Sequence, residues 1–241
     1  GQTCCVINGD LLTSLRVDEM LSSHRDSGCL ASISLWEVDD PSRFGVADFD
    51  SSSSLIHRFQ EKPPREEAFS NLINAGTYLL EPEVFDWMPD GAFSMERVVF
   101  PKLAEARQLV GFPFEGHFVD AGTPISYIEA VLTSIKNKAW VSGHGDEKGN
   151  WLGPDYSIDS TAKLSNSAIG QKTKISAGCH LVSSSLLDNV VIGNNCRISN
   201  CMVGRNVSIG DNCELRDVVI GHNQNIPSGY TQFGGKFPTA D

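Results

Sequence analysis

Four places in the first half of the sequence end or interrupt an apolar run with groups that could do chemistry. Asp10 follows Cys5-Val6-Ile7-Asn8-Gly9, Glu61-Lys62 follows Leu55 to Phe59, Asn74-Ala75-Gly76 lies inside Leu72 to Leu80, and Asp120 follows His117-Phe118-Val119. Two carboxylates at strand ends suit a hard cation such as Mg²⁺, which takes oxygen ligands and shares them with substrate phosphates. A lysine beside a carboxylate offers a point charge to a phosphate. A glutamate and an asparagine amide suit hydroxyls. The set describes a metal- and lysine-lined cleft for a phosphorylated, hydroxyl-rich molecule. Taken singly, Asp10 serves equally as a turn cap, and Glu61-Lys62 as a structural salt bridge. No Ser-His-Asp or Cys-His arrangement accompanies them, so the chemistry expected is positioning and charge neutralisation.

These groups need strands that stop abruptly. The run at Cys5 to Ile7 reads as a buried strand broken by the turn pair Asn8-Gly9. Val17, Met20, Leu21 and His24 make one helical face over Leu15 to Ser27, with Gly28 as its stop and His24 read as a packing residue. Leu30 to Trp36 alternates as a strand, giving a strand–helix–strand unit and an expected parallel sheet. Phe44 to Phe49 and Leu55 to Phe59 read as a hairpin with a polar tip, Asp50 to Ser54. Pro63 and Pro64 end its second arm at Glu61-Lys62. Gly76 inside Leu72 to Leu80 marks a bulge or a close approach of ligand to backbone. Pro82 to Trp87 is a short helical turn. Ser94 caps a helix to about Ala106 that Pro101 must kink or split. Thr123 and Pro124 open a last helix with Ile128, Val131, Leu132 and Ile135 as its stripe.

Residues 141–153 read as a polar, Gly-rich linker between a first domain over 1–140 and a second that obeys another rule. Ile158, Ile175, Ile192, Ile209 and Ile226 are 17 apart, as are Leu164, Leu181, Ile198 and Leu215, and Ile169, Leu186, Val203 and Ile220. Three apolar columns predict a triangular solenoid of short parallel strands, four coils over 154–229, with 230–241 as a tail. Cys179, Cys196 and Cys213 share a small core column with Ala162, and Cys201 holds the equivalent place in another. They read as inert buried thiols.

The 241 residues suffice for two domains with cores. A formal net charge of −11 argues against nucleic acid as partner. The sequence shows no membrane-length apolar run and no secretion signal. Seven cysteines without paired spacing suit a reduced, cytoplasmic compartment. Gly1-Gln2-Thr3 runs at once into what reads as an interior strand, so further material is expected upstream.

Asn-Gly-Asp at 8–10, Phe-Gly-Val at 44–46, Glu-Lys-Pro at 61–63, Asn-Ala-Gly-Thr-Tyr at 74–78 and Val-Asp-Ala-Gly-Thr-Pro at 119–124 resemble the sugar-1-phosphate nucleotidyltransferase family over roughly residues 4 to 135. Asp39 to Val46 and Phe118 to Pro124 look closest to its mannose-1-phosphate guanylyltransferases. The resemblance implies an α/β, Rossmann-like nucleotidyltransferase domain, N-terminally truncated, followed by a left-handed parallel β-helix. It implies Mg²⁺ held by Asp10 and Asp120, both catalytic with Lys62. It implies sugar binding by Glu61, Asn74 and the backbone at Gly45 and Gly76, sugar-phosphate contact by Lys62, and Gly9 near the nucleotide ribose. The reaction implied is attack of a sugar-1-phosphate on the α-phosphorus of a nucleoside triphosphate, releasing pyrophosphate, with mannose-1-phosphate and GTP as the favoured pair and a homo-oligomer as the assembly. The family's opening Gly-rich loop with Gly-Thr-Arg and a following Lys-Pro does not occur in this sequence. This chain alone is therefore expected to be an incomplete, inactive fragment. Three alternatives stand beside this reading: a non-catalytic binding or regulatory subunit, a glucose-1-phosphate thymidylyl- or uridylyltransferase, and a hexapeptide acyltransferase using His180 or His222.

Overall fold

The computed structural model describes residues 1–137 and 145–238. The chain divides into two compact units, Gly1–Phe118 and Val119–Asp241. The division falls earlier than the 140/141 boundary read from sequence, so the last helix goes with the second unit.

The first unit runs β1 (Cys4–Ile7), β2 (Leu11–Thr13), α1 (Val17–Ser27), β3 (Ala31–Glu37), β4 (Gly45–Phe49), β5 (Ile56–Glu61), β6 (Leu72–Leu80), α2 (Phe100–Glu105) and β7 (Leu109–Pro113). Its sheet has the order β5-β4-β6-β3-β7, with β1 also on β6. β1 and β3 are both antiparallel to β6 and flank it, while β7 runs parallel to β3. The parallel sheet expected from the strand–helix–strand unit is thus corrected to a mixed one. The cause is β6, whose last six residues are all buried, which inserts between the two arms of the unit. The expectation of a buried first strand is also corrected: Val6 is 42% and Ile7 54% exposed. β1 pairs along one edge with β6 and has no strand on its other edge among the described residues.

Gly28 stops α1 at φ 62, and Asp18 and Glu19 sit in its first turn, where they complement the helix dipole. His24 is buried and bridges Ser32 Oγ at 2.7 Å and Glu81 Oε1 at 3.0 Å, as befits a packing residue. Ser94 Oγ accepts the Arg97 N–H, and the backbone makes one wide turn over Met95–Val99 before α2 begins. Pro101 sits in the first turn of α2, where its missing N–H costs nothing. Phe100 then enters the core against Phe59 and Tyr78, with ring centroids 5.7 and 5.0 Å away.

The chain passes through β8 (Phe118–Asp120) to α3 (Pro124–Lys136), where Thr123 and Ser126 form a reciprocal capping box. Beyond it a parallel β-helix presents, among the described residues, three faces of five, five and six short strands. Each residue pairs with the one 17 further on, as in Ile158↔Ile175 and Leu181↔Ile198. The three aliphatic columns are buried from Ile169 to Ile226. The coils reach further than the period indicated at both ends. Trp151–Leu152 pairs with Ala168–Ile169, inside the stretch read as linker, whose residues 141–144 lie outside the described ones. Thr231–Phe233 and Lys236–Phe237 pair with the coil before them, inside the stretch read as tail, whose last three residues also lie outside the described ones. Gln232 hides the second extension, because it stands where the column calls for an aliphatic. Its amide nitrogen donates to Gly234 O and Lys236 O. Tyr230 and Phe237 pack edge to face, 5.5 Å between centroids, over the end of the core.

Asparagines turn the corners. Asn189, Asn206 and Asn223 have φ of 58 to 59°, a region asparagine enters more readily than most residues. Their side-chain amides donate one to the next along the stack, at 3.1 and 2.9 Å. The core thiols of Cys179, Cys196 and Cys213 donate to the carbonyls of Gly193, Gly210 and Pro227. Burial raises the Cys196 thiol to about 12 and that of Cys201 to about 11, which fits the inert role expected of them.

Candidate functional site

In the first unit the functional groups gather where four strands meet. β4 and β5 are antiparallel, so Gly45, at the start of one, faces Glu61, at the end of the other. β4 meets β6 at Val46↔Ile73, one residue before Asn74. β1 ends opposite Thr77, and the Asn8 N–H donates to Gly76 O at 2.9 Å. The bulge at Asn74-Ala75-Gly76 is therefore the centre, with Gly45 and Glu61-Lys62 on one side and Asn8-Gly9-Asp10 on the other.

Local geometry explains each residue type. Gly76 has φ +70, and a Cβ there would lie 2.7 Å from Asn8 Nδ2 and 2.9 Å from Leu11 Cδ1. A Cβ on Gly45 would lie 3.0 Å from Glu61 Oε2 and meet the Phe59 ring. Both glycines are buried, and the space a Cβ would take is filled by side chains of the protein itself. Lys62 leaves β5 with φ 47, its N–H donating to Phe44 O at 2.9 Å. Its Nζ lies 3.3 Å from Glu61 Oε1; the Glu61 side chain is 13% exposed and that of Lys62 57%. The salt bridge exists, and the cation still faces solvent.

Asn74 is held from both ends of its amide. Its Oδ1 accepts the Gly76 N–H at 2.9 Å and its Nδ2 donates to Tyr78 Oη at 2.9 Å. Tyr78 Oη donates to Glu96 Oε1 at 3.3 Å, and Ser94 Oγ donates to Glu96 Oε2 at 2.7 Å. Burial, together with the Glu96 carboxylate beside it, pushes the Tyr78 phenol well above its ordinary value, so it stays protonated and donates. Asn8, Tyr78 and Glu96 thus belong to the site, although their sequence positions do not single them out. Asn8 and Tyr78 stand inside the Asn-Gly-Asp and Asn-Ala-Gly-Thr-Tyr motifs, and Tyr78 follows Asn74 by four residues across a bulge that returns both to one side of the strand. Glu96 follows the Ser94 cap by two, a pattern that signals only a helix start.

Asp10 is exposed in the turn after β1 and makes no hydrogen bond or ion pair with any described residue. Asp120 belongs to the second unit and accepts the Gly122 N–H on Oδ1 at 3.0 Å. Among the described residues no three His, Cys, Asp or Glu side chains gather as a metal centre. The donors on offer are single carboxylates, which fit Mg²⁺ shared with phosphates rather than a closed cage of protein ligands. His180 and His222 are both exposed, and the His222 Nδ1 accepts the Arg205 N–H at 2.9 Å. No described helix is long and apolar enough to cross a membrane.

What the first unit can do is bind. Glu61 has carboxylate oxygens that can accept, the Asn74 amide keeps one N–H to donate, and Lys62, ion-paired with Glu61 and 57% exposed, offers a cation.

Comparison with known proteins gives the family. The family model described as nucleotidyl transferase matches residues 1–137, and that of the EIF2B subunit epsilon LbH domain matches residues 147–231. Mannose-1-phosphate guanylyltransferase 1 of Arabidopsis thaliana is 34% identical over 185 residues, 74% of this chain and 49% of that protein. Probable mannose-1-phosphate guanylyltransferase 2 of Arabidopsis thaliana is 36% identical over 142 residues, 58% of this chain and 38% of that protein. The mannose-1-phosphate guanyltransferase of Saccharomyces cerevisiae is 36% identical over 135 residues, 56% of this chain and 37% of that protein. The chain thus spans less than half the length of these relatives.

Proposed function

The chain belongs to the nucleotidyl transferase family, and from that premise we propose that it serves the synthesis of GDP-mannose from mannose-1-phosphate and GTP, contributing the sugar-phosphate half of the site. The observation that carries the reading is the gathering of Glu61, Lys62 and Asn74 where β4, β5 and β6 meet, with Asn74 fixed at both ends of its amide. The choice of mannose and GTP follows the names of the relatives.

In this reading Glu61 accepts hydrogen bonds from sugar hydroxyls, and the sugar ring lies against the backbone at Gly45 and Gly76. Asn74, held by Gly76 N–H and Tyr78, presents its remaining N–H to another hydroxyl. Lys62 binds the sugar phosphate and offsets its charge, so that a phosphate oxygen can approach the α-phosphorus of the triphosphate as pyrophosphate leaves. Gly9 leaves room near the nucleotide ribose. Asp10 and Asp120 are the carboxylates that would hold Mg²⁺, which supplies charge neutralisation to the phosphates when bound. The free cysteines suit a cytoplasmic location. A homo-oligomer is the proposed assembly, and a monomeric mass by light scattering would remove that part.

Calorimetric titration of the chain with mannose-1-phosphate and with glucose-1-phosphate in Mg²⁺ tests the proposal. Binding that is lost in Glu61→Ala and Lys62→Ala supports it. Absence of binding to mannose- and glucose-1-phosphate alike would sink it. Tighter binding of glucose-1-phosphate than of mannose-1-phosphate would replace the sugar.

A further inference from the structure

The second unit holds a cavity of about 320 Å³ that the nucleotidyl-transfer reading leaves unused. Tyr127 of α3 forms one wall, and Ser185, Leu187, Met202, Val219 and His222 of the six-stranded solenoid face form the rest. Its size is at the lower end of small-molecule sites, and its walls are mostly apolar.

Two polar groups break the apolar lining. Ser185 is 4% exposed. Its hydroxyl makes no hydrogen bond to any described residue. The buried serines around it behave differently: Ser167 Oγ donates to Ser165 O and Ser184 Oγ to Val182 O, each at 2.9 Å. The Ser185 oxygen is reached from the cavity rather than sealed inside the protein, so a ligand's polar group can complete it. His222 stands at the rim. Its Nδ1 accepts the Arg205 N–H, so the neutral ring carries its proton on Nε2 and offers a donor. No lysine or arginine lines the cavity, which argues against phosphates and carboxylates.

We propose that this cavity binds a neutral, flat ring compound bearing a hydroxyl or carbonyl, whose ring packs between Tyr127, Met202 and Val219 and whose polar group pairs with Ser185. The Ser185 hydroxyl gives this occupant's polar group a partner that an apolar side chain of another protein would not use.

Met202 provides the test, because the other three methionines, Met20, Met88 and Met95, lie in the first unit. The full chain, labelled with ¹³C at the methionine methyls, is titrated with p-cresol and separately with toluene. The expected result is a saturable shift of the Met202 resonance alone, with p-cresol binding more tightly. Ser185→Ala should weaken p-cresol binding by about 2- to 12-fold, the worth of one neutral hydrogen bond, and leave toluene unchanged. Val219→Trp should fill the cavity and abolish both shifts, and Ser185→Ala carries the test if that variant does not fold. A Met202 resonance that does not move or does not saturate, equal movement of all four methionines, or p-cresol affinity unchanged in Ser185→Ala would each overturn the proposal.

Discussion

Replacing Lys62 by glycine separates what that residue does for the fold from what it does for a ligand. Lys62 sits at φ 47, where a side chain costs ~1–2 kcal/mol that glycine does not incur. Glycine gives back ~0.4–1 kcal/mol through the freer unfolded chain. The ion pair to Glu61 at 3.3 Å, with the lysine more than half exposed, contributes about 0.2–1 kcal/mol and is lost. These terms nearly cancel, so Lys62→Gly should leave the stability of the first unit within about 1 kcal/mol of the parent. The backbone bond from Lys62 N to Phe44 O survives the change. A charged hydrogen bond to phosphate is worth about 1.5–3 kcal/mol, so affinity for mannose-1-phosphate should fall by about 10- to 150-fold. Urea denaturation followed by tryptophan fluorescence gives the first quantity, and calorimetric titration gives the second. A loss of stability above about 2 kcal/mol with affinity intact would show that Lys62 is a structural residue and that the phosphate role is wrong.

Gly76→Ala should cost about 1–2 kcal/mol from backbone strain alone, and more if Asn8 and Leu11 cannot move aside; a thermal melt unchanged within a degree would contradict the bulge geometry. Alkylation with iodoacetamide at pH 8.5, mapped by mass spectrometry, should modify the exposed Cys4 and, more slowly, Cys5, whose thiol is raised by partial burial, and spare Cys179, Cys196 and Cys201, whose raised thiols stay protonated and buried. Labelling of Cys196 before unfolding would refute that. The Asp50 carboxylate, lowered to about 2 chiefly by Ser53 and Ser52, contributes stability that is present above its ordinary value of 3.8 and is lost as the pH falls towards 2. Asp50→Asn should therefore flatten the acid limb of the stability profile between pH 4 and 2, and an unaltered limb would place the acid sensitivity elsewhere.

The solenoid is legible in the sequence because its rule is one-dimensional: a fixed spacing writes itself into the chain wherever an aliphatic must fall inward. The rule breaks at Gln232, where amide hydrogen bonds replace apolar burial. The hairpin and the bulge are legible for a similar reason, since Pro63, Gly76 and the serines of the tip act locally. The mixed sheet is not, because no local signal tells β6 to insert between β1 and β3. Tyr78 and Glu96 escape for the same cause. Their meeting depends on α2 packing over the sheet through Phe100, and a separation of 18 residues has no signature. Ser185 is invisible too, one serine among many until α3 covers it.

The pairing of every solenoid residue with its neighbour 17 positions on has a consequence for how such a domain can change length. Adding or removing one whole coil keeps every column, every corner asparagine and every thiol-to-carbonyl bond in step. An insertion of one or two residues within a strand throws all later columns out of phase with those before, unless it bulges out at a corner. Gain and loss of sequence in this half of the molecule is therefore quantised, and the distance from α3 to the last coil can be lengthened only in steps of one rung, about 4.8 Å each.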